Sequence, residues 1–172
     1  GAYKLGEIRA MCRIVRPQIG IILAINPQHQ DLFGTIETTM KAKYELVENL
    51  TGKNIVIVNY DDIRLQTMSE WAIRDGHTVW WVTREQRENT PKNTFSIKNI
   101  DSTTTSLVFD ISYENTTQKV SVPIIGAHQA NNITAAIAAA VAAEVPIEKA
   151  VGSTKLLTSI PHVLEEKKGI RG

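Results

Sequence analysis

The chain has 172 residues, 42% of them hydrophobic, which suits one domain of ordinary size with a real core. Its 19 Lys and Arg residues nearly balance 18 Asp and Glu, for a net charge of +1, and they are scattered, which argues against the basic patch of a nucleic-acid binder. One cysteine, Cys12, allows no internal disulfide; no apolar run reaches the ~20 residues of a membrane span, and no secretion signal opens the chain, so a reducing cytoplasm is the expected setting.

Residues 1–6 read as a loop. Residues 7–15 predict a short helix with Ile8, Met11, Cys12 and Val15 on one face, closed before Pro17. The unbroken apolar run 19–25 predicts a strand buried on both faces, as in a parallel sheet. Asn26, Pro27, Gln28 and His29 break it, and residues 35–49 predict a helix with Thr35 at its N-cap. A second buried strand is expected at 54–58. A helix follows at 63–75, with Gly76 placed just past its end, and a third strand at 78–83. Strand and helix alternate through this half, which points to a parallel α/β sheet.

The pattern then changes. Residues 95–100, 106–113 and 118–122 are short runs separated by turn-like stretches at 101–105 and 114–117, the mark of an antiparallel meander. Residues 131–143 are Ala-rich and predict a helix. Residues 146–150 begin another, with Pro146 in an allowed early position. From residue 161 the chain is charged and short of apolar residues, as expected of a linker.

In open α/β sheets, ligands bind beyond the carboxyl ends of the strands. That rule selects the loop 26–34 with His29 and Asp31, the turn of Asn59, Asp61 and Asp62, and the stretch 126–132 with His128, Gln129 and Asn132. His29 reads either as a metal ligand or as a surface capping residue. The two aspartates read equally as cation or ribose ligands and as caps of the next helix. His128, Gln129 and Asn132 read either as groups facing a purine or phosphate or as plain helix caps. Lys43, two turns into its helix, reads on its own as a surface lysine. The chain has no Gly-x-x-x-x-Gly-Lys-Ser/Thr loop, no Gly-x-Gly-x-x-Gly, no Gly-x-Ser-x-Gly and no Cys/His set with zinc spacing.

Four segments in register resemble the Mur ligase family across nearly the whole chain. The opening Gly1 to Ile8 followed by Arg16-Pro17-Gln18-Ile19-Gly20 is the lead-in. Asn26 to Gly34 looks like the family's strand-end His loop, and Ala42-Lys43-Tyr44-Glu45-Leu46 like its lysine helix. Asn59-Tyr60-Asp61-Asp62 is similar to its Asn-x-Asp-Asp turn. Gly126 to Asn132, followed by Ala135-Ala136, resembles its Gly-x-His-Asn-x-x-Asn-x-x-Ala-Ala motif.

The resemblance implies a partial Rossmann-like sheet of P-loop NTPase type flanked by helices, with residues 1–160 as the back half of a central ATP-binding domain. The antiparallel meander would lie at 95–122, and 161–172 would be a linker to a further domain. It also implies an ATP-dependent ligase of peptidoglycan precursors, using ATP and Mg2+. A UDP-muramoyl peptide would be the acid and D-Ala-D-Ala the amine. Lys43 would be carbamylated and catalytic, and would hold a magnesium ion together with His29. Asn59, His128, Gln129 and Asn132 would face the adenine and ribose. The family's phosphate loop and a metal-binding Glu would precede this chain, so by itself it is expected to be inactive. Two positions depart from the pattern: Gln129 stands for Asn, and Val163 for an arginine. A folylpolyglutamate or cyanophycin synthetase-like ligase, or a non-catalytic nucleotide- or partner-binding module, is the alternative. A sheet without its first strands would leave an open edge, from which a homodimer is expected.

Overall fold

The alternation of buried runs and amphipathic segments folds as an open α/β sheet. The computed structural model describes residues 4–26, 35–85 and 90–158. Among these, six strands lie side by side in chain order. β1 (Ile19–Ile22), β2 (Ile55–Asn59), β3 (Thr78–Thr83) and β4 (Thr94–Ser102) are parallel neighbours, and β5 (Leu107–Tyr113) and β6 (Thr116–Val122) continue the sheet antiparallel. The helices are α1 (Glu7–Val15), α2 (Ile36–Glu48), α3 (Ile63–Arg74), α4 (Gln129–Ala142) and α5 (Ile147–Ser153), with a 3-10 turn at Thr154–Leu156.

Both faces of the sheet are covered, which explains why β1, β2 and β3 read as near-continuous apolar runs. Val56, Val58, Val79 and Trp81 pack under α2 and α3 with Met40, Tyr44, Val47, Leu65 and Met68. Ile57 and Val82 point the other way, into a core that Phe95, Phe109 and Ile111 share with the Ala-rich α4. The small alanines of α4 let its backbone lie close to the sheet. Phe95 stacks on Tyr113 at 4.0 Å between ring centres, and Trp80 stacks on both, sealing the junction of β3 with the meander.

The meander is thus part of the main sheet. Only Trp81–Thr83 of β3 pair with Thr94–Ser96 of β4, so β4 starts where β3 is ending. Its remaining residues run on past the carboxyl ends of β1 to β3 and carry the β4–β6 ribbon over that edge. The stagger also lets two parallel strands follow one another through the short stretch 84–93.

Several boundaries differ from the sequence reading. β1 stops at Ile22, although the apolar run continues to Ile25. The Ile25 N–H donates to Asp62 Oδ2 at 3.2 Å and its carbonyl accepts from Arg64 Nη1 at 3.1 Å, so side chains replace the ladder there. β4 runs to Ser102, past the expected turn at 101, through a bulge between Lys98 and Asp101 with Asn99 at φ 51°. β6 starts at Thr116, leaving Glu114 and Asn115 as the hairpin tip, with Glu114 at φ 52°. α4 starts at Gln129, two residues before the expected 131, which places Asn131 and Asn132 inside its first turn.

Local caps form at three sites, of which Thr35 and Gly76 are the expected ones. Thr35 accepts the Thr38 N–H, Asp62 accepts the Arg64 N–H at 2.9 Å, and Gly76 takes φ 86° after α3. α1 differs, because Gly6 precedes it and offers no side-chain cap. Glu45 of α2, only 3% exposed, supplies one instead: its carboxylate accepts Gly6 N–H at 2.6 Å and Arg9 N–H at 3.1 Å. Tertiary packing therefore caps this helix.

Candidate functional site at the carboxyl edge

The turn after β2, the end of β3 and the turn before α4 converge. The Asn59 side-chain oxygen accepts the Asp61 N–H at 3.1 Å, a local turn that closes the end of β2. Asp61 then accepts the Thr83 hydroxyl at 2.5 Å and the Arg84 N–H at 2.9 Å, joining the end of β2 to the end of β3. The Arg84 guanidinium reaches on to α4, where Nε donates to the Asn131 side-chain oxygen and Nη2 donates to the Ala127 carbonyl at 2.6 Å. On the other side of the same turn, Ser102 Oγ accepts the Gly126 N–H at 3.3 Å from the overhanging β4.

These bonds decide the readings that the sequence left even. Asp62 is a helix cap that also holds Ile25, and Asp61 is a clamp on β3, so both carboxylates are occupied by the fold. Among the described residues, no group of three or more His, Cys, Asp or Glu could hold a metal ion.

The α4 turn answers differently. Gly126, at φ 101°, starts it, and Gln129 and Ala130 N–H groups donate to the Gly126 and Ala127 carbonyls at 3.0 and 3.2 Å. His128 occupies the N-cap position in helical conformation and makes no side-chain capping bond, leaving its exposed ring turned to other uses. Asn132, also exposed, donates from Nδ2 to Gln129 Oε1 at 2.8 Å. The residue that departs from the expected Asn is therefore bonded to the next amide of the motif. A pair of side-chain amides and an imidazole line one helix start.

Lys43 sits apart from this cluster. It lies half-buried on α2, between the buried Ala42 and Tyr44, and no hydrogen bond or ion pair joins it to another described residue. α2 and α4 cover opposite faces of the sheet, so Lys43 and His128 belong to helices on opposite sides of it. Tyr44 fixes α2 to α3: its hydroxyl donates to Asp75 Oδ2 at 2.6 Å and its ring meets Trp71 edge-on. Burial, and then the bond to Asp75, push the Tyr44 phenol well above its usual range, and the same bond holds the Asp75 carboxyl below its usual range. His29, Asp31 and Val163 lie outside the described residues.

Arg84 and Thr83 escaped the sequence reading. The strand-end rule that selected Asn59 applies equally to the end of β3, and a Thr-Arg pair there was the available signal.

An open, mostly parallel sheet covered on both faces, with polar side chains gathered at its carboxyl edge and a helix start facing them, defines the class of α/β domains that bind ligands at that edge. The Mur ligase middle domain model matches residues 1–140, and the chain belongs to that family.

Individual relatives agree. The chain is 25% identical over 172 residues to a UDP-N-acetylmuramoyl-tripeptide–D-alanyl-D-alanine ligase of Haemophilus influenzae, covering 100% of this chain and 33% of that protein. It is 27% identical over 161 residues to a UDP-N-acetylmuramoylalanine–D-glutamate ligase of Lachnoclostridium phytofermentans, covering 91% and 33%. Its fold superposes on MurF from Acinetobacter baumannii with a TM-score of 0.85 and 25% identity, covering 99% of this chain and 36% of that one. The chain spans about a third of the length of these relatives.

Proposed function

We propose that this chain is the back part of the ATP-binding unit of a cytoplasmic ligase that joins a UDP-muramoyl peptide to D-Ala-D-Ala through a new C–N bond. The observation that supports it best is the carboxyl-edge cluster, in which Asp61 and Arg84 draw the Asn59 turn and the α4 start together. The donor set fits a nucleoside: Asn59, His128, Gln129 and Asn132 offer neutral donors and acceptors, which suit a purine edge and ribose hydroxyls. ATP supplies the phosphoryl group that turns the acid into an acyl phosphate, from which the amine displaces phosphate. What this chain contributes is the binding and orientation of the nucleoside end, and the approach of α2 to the same edge.

Lys43 fits a magnesium site only in altered form. An ammonium cannot ligate a cation, whereas a carbamate on the same nitrogen offers two oxygens of the kind magnesium prefers. A half-buried position without a competing partner among the described residues suits such a group. His29 is the second ligand in this reading. The homodimer in this reading is one of the isolated chain, paired through β1, which forms the margin of the sheet among the described residues. Light scattering that shows only monomers at high concentration would remove it.

The decisive experiment measures ADP release in the ligase that contains this chain, with UDP-muramoyl tripeptide and D-Ala-D-Ala, beside its Lys43→Ala variant. The expected result is activity that the variant loses and a short-chain carboxylate restores. Activity unchanged in the variant removes Lys43 from the mechanism. No ADP release from the unaltered protein with any UDP-muramoyl acid sinks the ligase reading.

A further inference from the structure

We propose that Arg84 is a positioning residue, holding the start of α4 in the place where its side chains can face a nucleotide. The role rests on the ligase reading above.

The geometry carries it in three steps. First, Arg84 is anchored at its backbone, because its N–H donates to Asp61 Oδ2 at 2.9 Å while the preceding Thr83 hydroxyl donates to Asp61 Oδ1. The stem of the side chain therefore leaves from a point tied to both β2 and β3. Second, the guanidinium is a planar fork, and it uses two of its nitrogens on two different kinds of acceptor: the Asn131 side chain and the Ala127 backbone carbonyl. Those acceptors flank His128 and Gln129 in sequence. Fixing them fixes the turn that precedes α4 and the first turn of the helix itself. Third, the remaining ties to this turn are few. Among the described residues its own turn bonds are local, and the other long-range one is the 3.3 Å bond from Gly126 N–H to Ser102 Oγ. Arg84 is thus the link that sets the α4 start relative to Asn59, since Asn59 is bonded to Asp61.

The rest of α4 does not need this link. Ile133, Ala135, Ile137 and Ala138 are buried in the core beneath it. Loss of Arg84 should loosen the first turn, where Ala130 alone is fully buried, and leave the helix body and the fold in place. Arg84 itself is exposed, so its bonds compete with water and their contribution is modest.

The test uses the 172-residue chain with ADP and Mg2+ as the probe, followed by NMR shifts, beside Arg84→Ala, Arg84→Lys, Asn131→Ala and the double variant Arg84→Ala/Asn131→Ala. Amide hydrogen exchange without nucleotide is measured on the same proteins. In Arg84→Ala, faster exchange is expected at Gln129 to Asn132 with β5 and β6 unchanged, and Kd for ADP should rise about three- to tenfold. Arg84→Lys should recover only part of this, because a single ammonium cannot span both acceptors. The double variant should bind no worse than Arg84→Ala, since the two residues act through one bond. ADP binding by the unaltered chain that is identical in Arg84→Ala overturns the positioning role and leaves the ligase reading standing. Failure of the unaltered chain to bind ADP is what the lack of a phosphate loop in these residues would give, and the exchange rates alone then decide whether Arg84 organises the turn. Unchanged exchange at Gln129 to Asn132 overturns the proposal in either case.

Discussion

Replacing Glu45 with alanine is expected to destabilise the fold by about 2–3 kcal/mol, through a helix 36 to 39 residues away in sequence. The Glu45 carboxylate accepts two N–H groups at the start of α1, those of Gly6 and Arg9, and Gly6 can provide no cap of its own. A lost side-chain cap typically costs about 1 kcal/mol, and hydrogen bonds to a charged acceptor run to about 1.5–3 kcal/mol each. Both values need reduction, because Gly6 and Arg9 are exposed enough for water to replace part of what is lost. The Arg9 guanidinium, 3.8 Å from Glu45 and half exposed, adds little. Glu45→Gln keeps the shape and one acceptor and loses the charge, so roughly half the effect is expected. Urea unfolding followed by far-ultraviolet circular dichroism gives the free energies, and hydrogen exchange at residues 6–9 gives the local effect. If Glu45→Ala unfolds within about 0.5 kcal/mol of the parent, with exchange at α1 unchanged, the cap does not stabilise α1 as argued.

Three further outcomes are expected. A Cβ at Gly20 would stand 3.2 Å from Leu46 Cγ and 3.4 Å from Leu50 Cδ2, so Gly20→Ala requires these side chains to give by a small shift and should cost about 1 kcal/mol by thermal or urea unfolding; an unchanged midpoint would show that the leucines yield freely. The Asp75 carboxyl is held down in the folded state, chiefly by the Tyr44 hydroxyl, so its contribution is full above the unfolded carboxylate pKa and lost as pH falls through the lowered folded value. Acid titration of stability should therefore be shallower in Tyr44→Phe, and identical acid profiles would contradict the bond's role. The Cys12 thiol is pushed up by burial and then by Glu45, so it stays protonated near neutrality and should react with iodoacetamide far more slowly in the folded chain than in urea; equal rates would refute its burial.

Much of the architecture is legible in local patterns. The bounds of α1 and β3 follow from residues 7–15 and 78–83 alone, because an apolar stripe at helical spacing and an unbroken buried run are properties of neighbouring residues. Thr35 and Gly76 mark helix ends for the same reason, since a cap needs only its own turn. The family motifs likewise placed Asn59, His128, Gln129 and Asn132 at the edge where ligands bind. Sequence by itself thus determined the element types, the parallel start with an antiparallel finish, and the edge on which to look for chemistry.

Tertiary structure decided which polar group each side chain meets. Ile25 looks like strand, yet its backbone is claimed by Asp62 and Arg64, which come from the helix start after β2. Asp61 reads equally as ligand and cap until β3 brings Thr83 and Arg84 to it. Arg84 is marked in the sequence only by its place after a strand, and its meaning comes from Asn131, 47 residues on. Glu45 reads as one more charge on a helix until α1 presents bare N–H groups to it. Periodicity and propensity act between near neighbours, whereas a buried or clustered polar atom is satisfied by whatever the closed loops set beside it.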